Sequence, residues 1–220
     1  MSRNQTDINE KVIDYIRDTF VREEEFLVKL VEKSLDEGFP QISISPEQGN
    51  FLRFLLKSIN AKNVIEIGSL FGYSAISIAW ALPEGGKLIA VEKNPDYADF
   101  IREQSRLAGV EKKIEVIAED ALNFLSRFKP EKELDFIFLD ADKVNYIKYF
   151  ELLNPFLRKG GIMAADNALA FGYICEDEIE ESRKADVLAM RDFNKMLSTH
   201  PQFFSSLVRM GDGLALGVKI

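Results

Sequence analysis

The chain has 220 residues, 46% of them apolar, with 36 acidic and 28 basic side chains and a net charge of −8. That size and apolar fraction suit one α/β domain with a small extension, while the acidic balance excludes a nucleic-acid binder relying on a basic surface and gives no reason for attachment to an anionic membrane. A single cysteine, Cys175, and a single histidine, His200, exclude an intrachain disulfide and a zinc site of His and Cys pairs by counting.

The N-terminus, Met1 to Asp7, is polar and no apolar segment follows it. No apolar stretch reaches the roughly 20 residues that a bilayer span needs. A cytoplasmic location is expected, which also suits the lone cysteine.

Residues 7 to about 37 read as one helix, with Ile8, Val12, Ile16 and Phe20 on one stripe and Phe26, Leu27, Leu30 and Val31 on a later one. Gly38 and Pro40 end it. Residues 1–40 are therefore expected as a helical extension of the same domain, acting as cover, lid or dimer contact, and 41–220 as the main body. Ser45-Pro46-Glu47 opens the next helix, with Ser45 as N-cap and Pro46 at the first helical position.

From residue 63 strands and helices alternate. The expected strands are Val64–Ile67, Lys87–Glu92, Ile114–Ile117, Leu134–Leu139 and Ile162–Ala165. The helices are Tyr73–Leu82, Pro95–Ala108, Ala121–Phe128, Tyr146–Leu157 and Ser182–Thr199, the fourth stopped near Gly160-Gly161. Regular alternation predicts a parallel sheet covered on both faces. Phe203–Arg209, the turn Gly211-Asp-Gly213 and Leu214–Lys219 break it as an antiparallel hairpin. The acidic run Glu176–Glu181 is expected as a mobile loop.

Chemistry concentrates at the expected carboxyl ends of the strands, where open α/β sheets bind ligands. The apolar run Phe136–Leu139 ends abruptly in Asp140, Asp142 and Lys143, charges that are costly there unless paired, solvated or bound to something. The first strand runs into Glu66-Ile-Gly-Ser-Leu-Phe-Gly-Tyr-Ser74, whose glycines allow close backbone approach to a ligand. Its spacing is not that of the dinucleotide fingerprint. Glu92, about 20 residues beyond the turn, can accept bonds from both ribose hydroxyls, and Glu119-Asp120-Ala121 can reach a base edge. The plainer readings are a solvated strand-end acid for Glu92 and a helix N-terminal acid for Asp120. Lys143 could simply pair with Asp142, and Asp166-Asn167 could be only a turn. Together the features describe a nucleoside-binding edge without naming the nucleoside.

Glu66 to Ser74, Phe138-Leu-Asp-Ala-Asp-Lys-Val-Asn-Tyr146, Asp166-Asn167 and Gly211-Asp-Gly213 resemble the cation-dependent O-methyltransferases, which include caffeoyl-coenzyme A and catechol O-methyltransferases. The resemblance runs from Ile42 to Ile220. It implies a Rossmann-like, seven-stranded methyltransferase sheet, mostly parallel with a C-terminal antiparallel hairpin, helices on both faces and an N-terminal helical extension.

It also implies S-adenosylmethionine as the nucleoside ligand. Glu66, Gly68, Ser69 and Ser74 would line its methionine and ribose side, with Ile44 and Tyr73 nearby. Glu92 would hold the ribose, with Lys93 beside it, and Asp120 and Ala121 would lie by the adenine. Asp140 would contact both the cofactor and a cation, with Asp142 in support. The cation ligands would be Asp140, Asp166 and Asn167, and Lys143 would be the general base. Two carboxylates and an amide oxygen suit a hard cation, Mg²⁺, Ca²⁺ or Mn²⁺. Such an ion, chelated by two vicinal oxygens, lowers a phenol's pKa from about 10. A small aromatic acceptor and a homodimer are the implied partners, with no nucleic acid and no membrane.

Plant members carry a threonine where this chain has Ile44, and Trp-Asn-Gly where it has Ala170-Phe171-Gly172. The missing asparagine speaks against caffeoyl-coenzyme A as acceptor, while Phe171 and Tyr173 could flank an aromatic ring. Trp80 is expected in the core, His200 at a helix end and Cys175 in a loop. Two other readings compete: a nicotinamide-dependent oxidoreductase, disfavoured by the glycine spacing and the hairpin, and a catalytically silent S-adenosylmethionine-binding module, disfavoured by the intact ligand set and Lys143.

Overall fold

Asn9 starts the first helix, α1 (Glu10–Phe20), by accepting a hydrogen bond from the Val12 amide. The structure, a computed structural model, describes residues 8–21 and 23–220, so the polar N-terminus and the expected helix start at residue 7 lie outside it. The expected single helix is two, because Val21 turns extended and α2 (Glu25–Asp36) begins afresh. The apolar stripe continues in phase through both halves, so periodicity carries no sign of the break. Tertiary bonds make it: Glu23 accepts from the Tyr73 hydroxyl at 2.6 Å and Glu24 pairs with Arg53 at 2.8 Å. These contacts override local helix propensity. Helix α2 buries Leu27 and Leu30, whereas every residue of α1 stays at least partly exposed.

Helix α3 (Pro46–Ser58) opens with a reciprocal capping box between Ser45 and Gln48. Then come β1 (Asn63–Ile67), α4 (Tyr73–Ala81), β2 (Lys87–Glu92), α5 (Pro95–Leu107), β3 (Ile114–Ala118), α6 (Ala121–Leu125) and β4 (Leu134–Leu139). The chain finishes with α7 (Tyr146–Leu153), β5 (Leu157–Ala165), α8 (Glu181–Thr199), β6 (Phe203–Val208) and β7 (Leu214–Lys219). The sheet order is β3-β2-β1-β4-β5-β7-β6. Strands β1 to β5 are mutually parallel, and β7 pairs antiparallel with both β5 and β6. This is the expected seven-stranded, mostly parallel sheet with a terminal hairpin.

Two expected helices are shorter. α6 stops at Leu125, five residues before Pro130. α7 stops at Leu153, since Pro155 cannot continue it, and a tight turn over Asn154–Phe156 leads straight into β5. Gly160-Gly161 therefore do not end a helix. They form a bulge within β5, where Leu134 pairs with Leu157 but Phe136 already pairs with Ile162. A Cβ on Gly161 would lie 2.7 Å from Leu157 Cδ1 and 3.0 Å from the Asp135 carbonyl oxygen.

Buried strands alternate between two cores. Val64, Phe136, Phe138, Ile162 and Ala164 pack toward α2 to α5. Ile65, Ile137, Leu139, Met163 and Ala165 pack toward α6 to α8. Glu66 shares the face of Val64 by the period of two, and so occupies a core position as an acid with 0% exposure.

Candidate active site

The strand order reverses between β1 and β4, and their carboxyl ends open into the crevice that such a reversal creates. Three backbone bonds stitch the strand ends, each 2.9 Å long: Gly68 N to Val91 O, Asp140 N to Ile67 O and Asp166 N to Leu139 O. Gly68 has φ +87°, and a Cβ there would overlap the Asp140 carbonyl oxygen. Only glycine fits. A cavity of about 550 Å³ lies over these ends.

One half of its wall comes from the glycine turn and β2. Gly68, Ser69, Tyr73 and Ser74 line it, and Glu92 and Lys93 face them. Glu92 binds the turn directly: one oxygen accepts from the Leu70 amide (2.9 Å) and the Ser69 amide (3.3 Å), the other from the Asn94 amide (2.9 Å). Asp120 and Ala121 also line the cavity, as does Ile44. Asp120 also caps α6 through the Asn123 amide (3.0 Å), so its helix-capping and cavity positions coexist.

Glu66 is not on the wall. It lies beneath the turn, where Ser69 Oγ donates to one carboxylate oxygen at 2.6 Å and the other has no partner among the described residues. Burial pushes its carboxyl up to about 7, against the lowering effect of the Ser69 and Ser74 hydroxyls.

The other half of the wall is charged. Asp140, Asp142, Lys143 and Asn167 line it. Lys143 Nζ donates to Asp140 Oδ1 at 3.2 Å and to the Tyr146 hydroxyl at 2.7 Å. The plainer pairing with Asp142 is not formed. Asp142 instead accepts from the Tyr149 hydroxyl at 2.6 Å and from Asn145 Nδ2. Tyr146 is fully buried and its hydroxyl donates a hydrogen bond to the Leu139 carbonyl at 3.1 Å. Burial, then the charges of Asp140 and Asp166, hold that hydroxyl well above the usual phenol range.

Asp166 is almost fully buried behind the wall, and Gln48 Nε2 donates to its Oδ1 at 2.6 Å. Burial and the charge of Asp140 push it up to about 6. Asp140 is pushed up as well, by burial that outweighs the lowering effect of Lys143. Asn167 takes a left-handed backbone (φ +58°) and donates its Nδ2 to Asp212 Oδ2 at 3.2 Å, so the amide oxygen is the atom left to offer. Among the described residues no three His, Cys, Asp or Glu side chains cluster around one point. The set with the chemistry of a hard-cation site is two acids and one amide. Two desolvated carboxylates that repel each other, with one ammonium beside Asp140, gain from added positive charge.

The wall also contains residues that pattern reading missed. Phe71 and Tyr97 join the glycine-turn side, and Tyr149 and Asp186 the charged side. Tyr149 and Asp186 sit on helical stretches whose spacing signals only packing, and Gln48 signals only a cap. Phe171 lines the cavity as expected and is 69% exposed. Tyr173 does not line it: the ring packs against the α6–α8 core under the Arg183 guanidinium, 4.9 Å from its centre. Trp80 packs on the other core and donates to the Ala108 carbonyl at 3.3 Å. His200 caps the end of α8, and the Cys175 thiol is exposed.

The chain matches the O-methyltransferase family model over residues 17–220. It is 37% identical over 218 residues to the flavonoid 3',5'-methyltransferase of Vitis vinifera, covering 94% of this chain and 93% of that one. It is 34% identical to the catechol O-methyltransferase of Niastella koreensis, with 96% and 97% covered. The solved O-methyltransferase of Bacillus cereus in complex with SAH superimposes with a TM-score of 0.87 at 28% identity, covering 96% of this chain and 97% of that one. The glycine turn, the acid that ends β2 and the charged strand end thus stand in a chain that belongs to the O-methyltransferase family of S-adenosylmethionine-dependent enzymes.

Proposed function

We propose that this enzyme methylates one hydroxyl of a vicinal-dihydroxy, catechol-like aromatic acceptor and depends on a divalent cation, Mg²⁺, Ca²⁺ or Mn²⁺. The observation that carries this reading is the pair of desolvated carboxylates, Asp140 and Asp166, joined by the Asn167 amide beside Lys143 on the cavity wall. The names of the flavonoid and catechol relatives favour the same acceptor class.

Asp140, Asp166 and Asn167 would hold the cation. When bound, it supplies Lewis-acid stabilisation of the phenolate and a template for two adjacent oxygens. The chain's own residues do the rest. Glu92 and the turn from Gly68 to Ser74, Tyr73 included, would hold the methyl donor, with Glu66 beneath the turn and Asp120, Ala121, Ile44, Lys93 and Asp142 lining the same cavity. Lys143 Nζ, aimed by the Tyr146 hydroxyl, is the group that accepts the phenol proton. S-adenosylmethionine, when bound, would supply the methyl group from its sulfonium and remain as a neutral thioether. Charge is neutralised in that step, so holding the reactants in line can supply roughly 7–11 kcal/mol.

The partner class is a small aromatic molecule, in the cytoplasm, with no nucleic acid and no membrane. Among the described residues no helix is long and apolar enough to cross a membrane. A homodimer fits the uncovered face of α1, where Tyr15 and Phe20 are exposed.

An acceptor screen with S-adenosylmethionine and Mg²⁺ tests the reading. Catechols should be methylated and singly hydroxylated rings should not, and a chelator should abolish transfer until Mg²⁺ is restored. Transfer that survives thorough cation removal overturns the cation role, and binding of NAD in preference to S-adenosylmethionine in calorimetry overturns the whole.

A further inference from the structure

The turn between β6 and β7 reaches across to the loop that follows β5, and one carboxylate makes the crossing. Asp212 Oδ2 accepts from Asn167 Nδ2 at 3.2 Å, and Asp212 Oδ1 accepts from the Phe171 amide at 2.7 Å. The backbone adds two bonds of 2.9 Å, from Leu169 N to the Asp212 carbonyl and from Ala168 N to the Gly213 carbonyl. The two segments touch without slack, because a Cβ on Gly213 would lie 2.5 Å from Leu169 Cγ.

The loop being held is unusual. Asn167, Ala170 and Phe171 all take left-handed backbone conformations (φ +58°, +48° and +54°). A side chain at such an angle persists where its surroundings over-determine it. The loop also carries two groups of different use on the same cavity: the Asn167 amide, and the exposed Phe171 ring.

We infer that Asp212 is a positioning and specificity-determining residue that fixes the Asn167 amide oxygen and the Phe171 ring relative to each other. This rests on the function proposed above. Asp212 keeps the Asn167 amide turned with its oxygen free, since a carboxylate accepts only the NH₂ side. The same carboxylate sets the height of the Phe171 backbone at the cavity wall. A catechol held by its oxygens at one end and its ring at the other has its register chosen by that spacing. The register decides which of the two hydroxyls faces the methyl donor. Asp212 touches neither substrate nor donor in this role and acts through two residues that do.

The experiment compares wild type, Asp212→Asn and Phe171→Ala in the full-length protein. The near-isosteric Asp212→Asn puts an NH₂ where one of two donors expects an acceptor. Three readouts are taken: affinity for Mg²⁺ alone by calorimetry, the ratio of the two monomethyl products from an unsymmetrical catechol, and hydrogen exchange of the Ala168 to Phe171 amides. Asp212→Asn should weaken Mg²⁺ binding about 10–100-fold, speed amide exchange and shift the product ratio toward an even mixture. Phe171→Ala removes an exposed ring and does not endanger folding; it should shift the product ratio and leave Mg²⁺ affinity unchanged. An Asp212→Asn enzyme with wild-type affinity and product ratio overturns the inference, as does a Phe171→Ala enzyme with the wild-type ratio. A wild type that neither binds Mg²⁺ nor methylates any catechol fails the parent reading and takes this one with it.

Discussion

Strand β4 carries an aspartate near each end, and the two live in opposite conditions. Asp135, at the amino end, is fully provided for: Oδ2 accepts from the Lys62 and Asn63 amides at 2.7 and 2.8 Å, and Oδ1 pairs with Arg158 at 2.5 Å. Burial alone would push its carboxyl up, but Arg158 and the two amides outweigh that and hold it below the usual range. Asp140, just past the carboxyl end, is left short. It has Lys143 at 3.2 Å, a second acid nearby in Asp166, and a carboxyl pushed upward. The acid at the amino end is satisfied by the fold itself, whereas the acid at the carboxyl end faces the cavity with one ammonium and a like charge beside it. The lesson is that a buried acid signals function through what is missing around it, not through burial.

The comparison can be broken most forcefully at Asp140. Asp140→Ala should reduce methyl transfer to background, and Lys143→Ala should lower turnover by about 10²–10⁴-fold, both with far-ultraviolet circular dichroism unchanged. Near-wild-type turnover in Lys143→Ala would remove it as the proton acceptor.

Glu66 extends the comparison below the site. A carboxyl with an unfolded-state value near 4.5 and a folded value of about 7 favours the protonated native state. The native state then binds more protons between those values, so stability falls as pH rises from about 4.5 to 7 and levels off above. The total loss is roughly 3 kcal/mol. Urea denaturation of the ligand-free protein should show that slope, and Glu66→Gln should flatten it. An unchanged slope would mean that Glu66 is ionised without penalty.

The mildest effect belongs to Asp135. Asp135→Asn should cost about 2–3 kcal/mol of stability through lost charge-assisted hydrogen bonds, with turnover per folded molecule unchanged. A loss of turnover there would erase the distinction between the two ends.

The run from Phe136 to Lys143 was legible because apolar residues and charges meet at one abrupt boundary. The alternation from residue 63 onward was legible because each strand and helix carries its own period. Other features escaped for physical reasons. The α1–α2 break leaves the apolar phase intact and is made by Tyr73 and Arg53, both distant in sequence. Gly160-Gly161 look like a helix stop because a bulge and a stop use the same residue. Gln48 reaches Asp166 across 118 positions, and only the packed fold joins a helix cap to a strand end. The bridging of Asn167 and Phe171 by Asp212 is likewise invisible in a linear motif, although the Gly-Asp-Gly turn around it carries its own signal.

Gly68 has a consequence for redesign of this enzyme. The backbone of the Asp140 carbonyl occupies the place where any side chain at position 68 would begin. That seam admits no variation, so a mutant library sampling it would return glycine alone. The Phe171 ring, by contrast, stands in the open. Efforts to change what the enzyme accepts should therefore leave the β1–β4 seam untouched and diversify the side chain at position 171, which projects into open space.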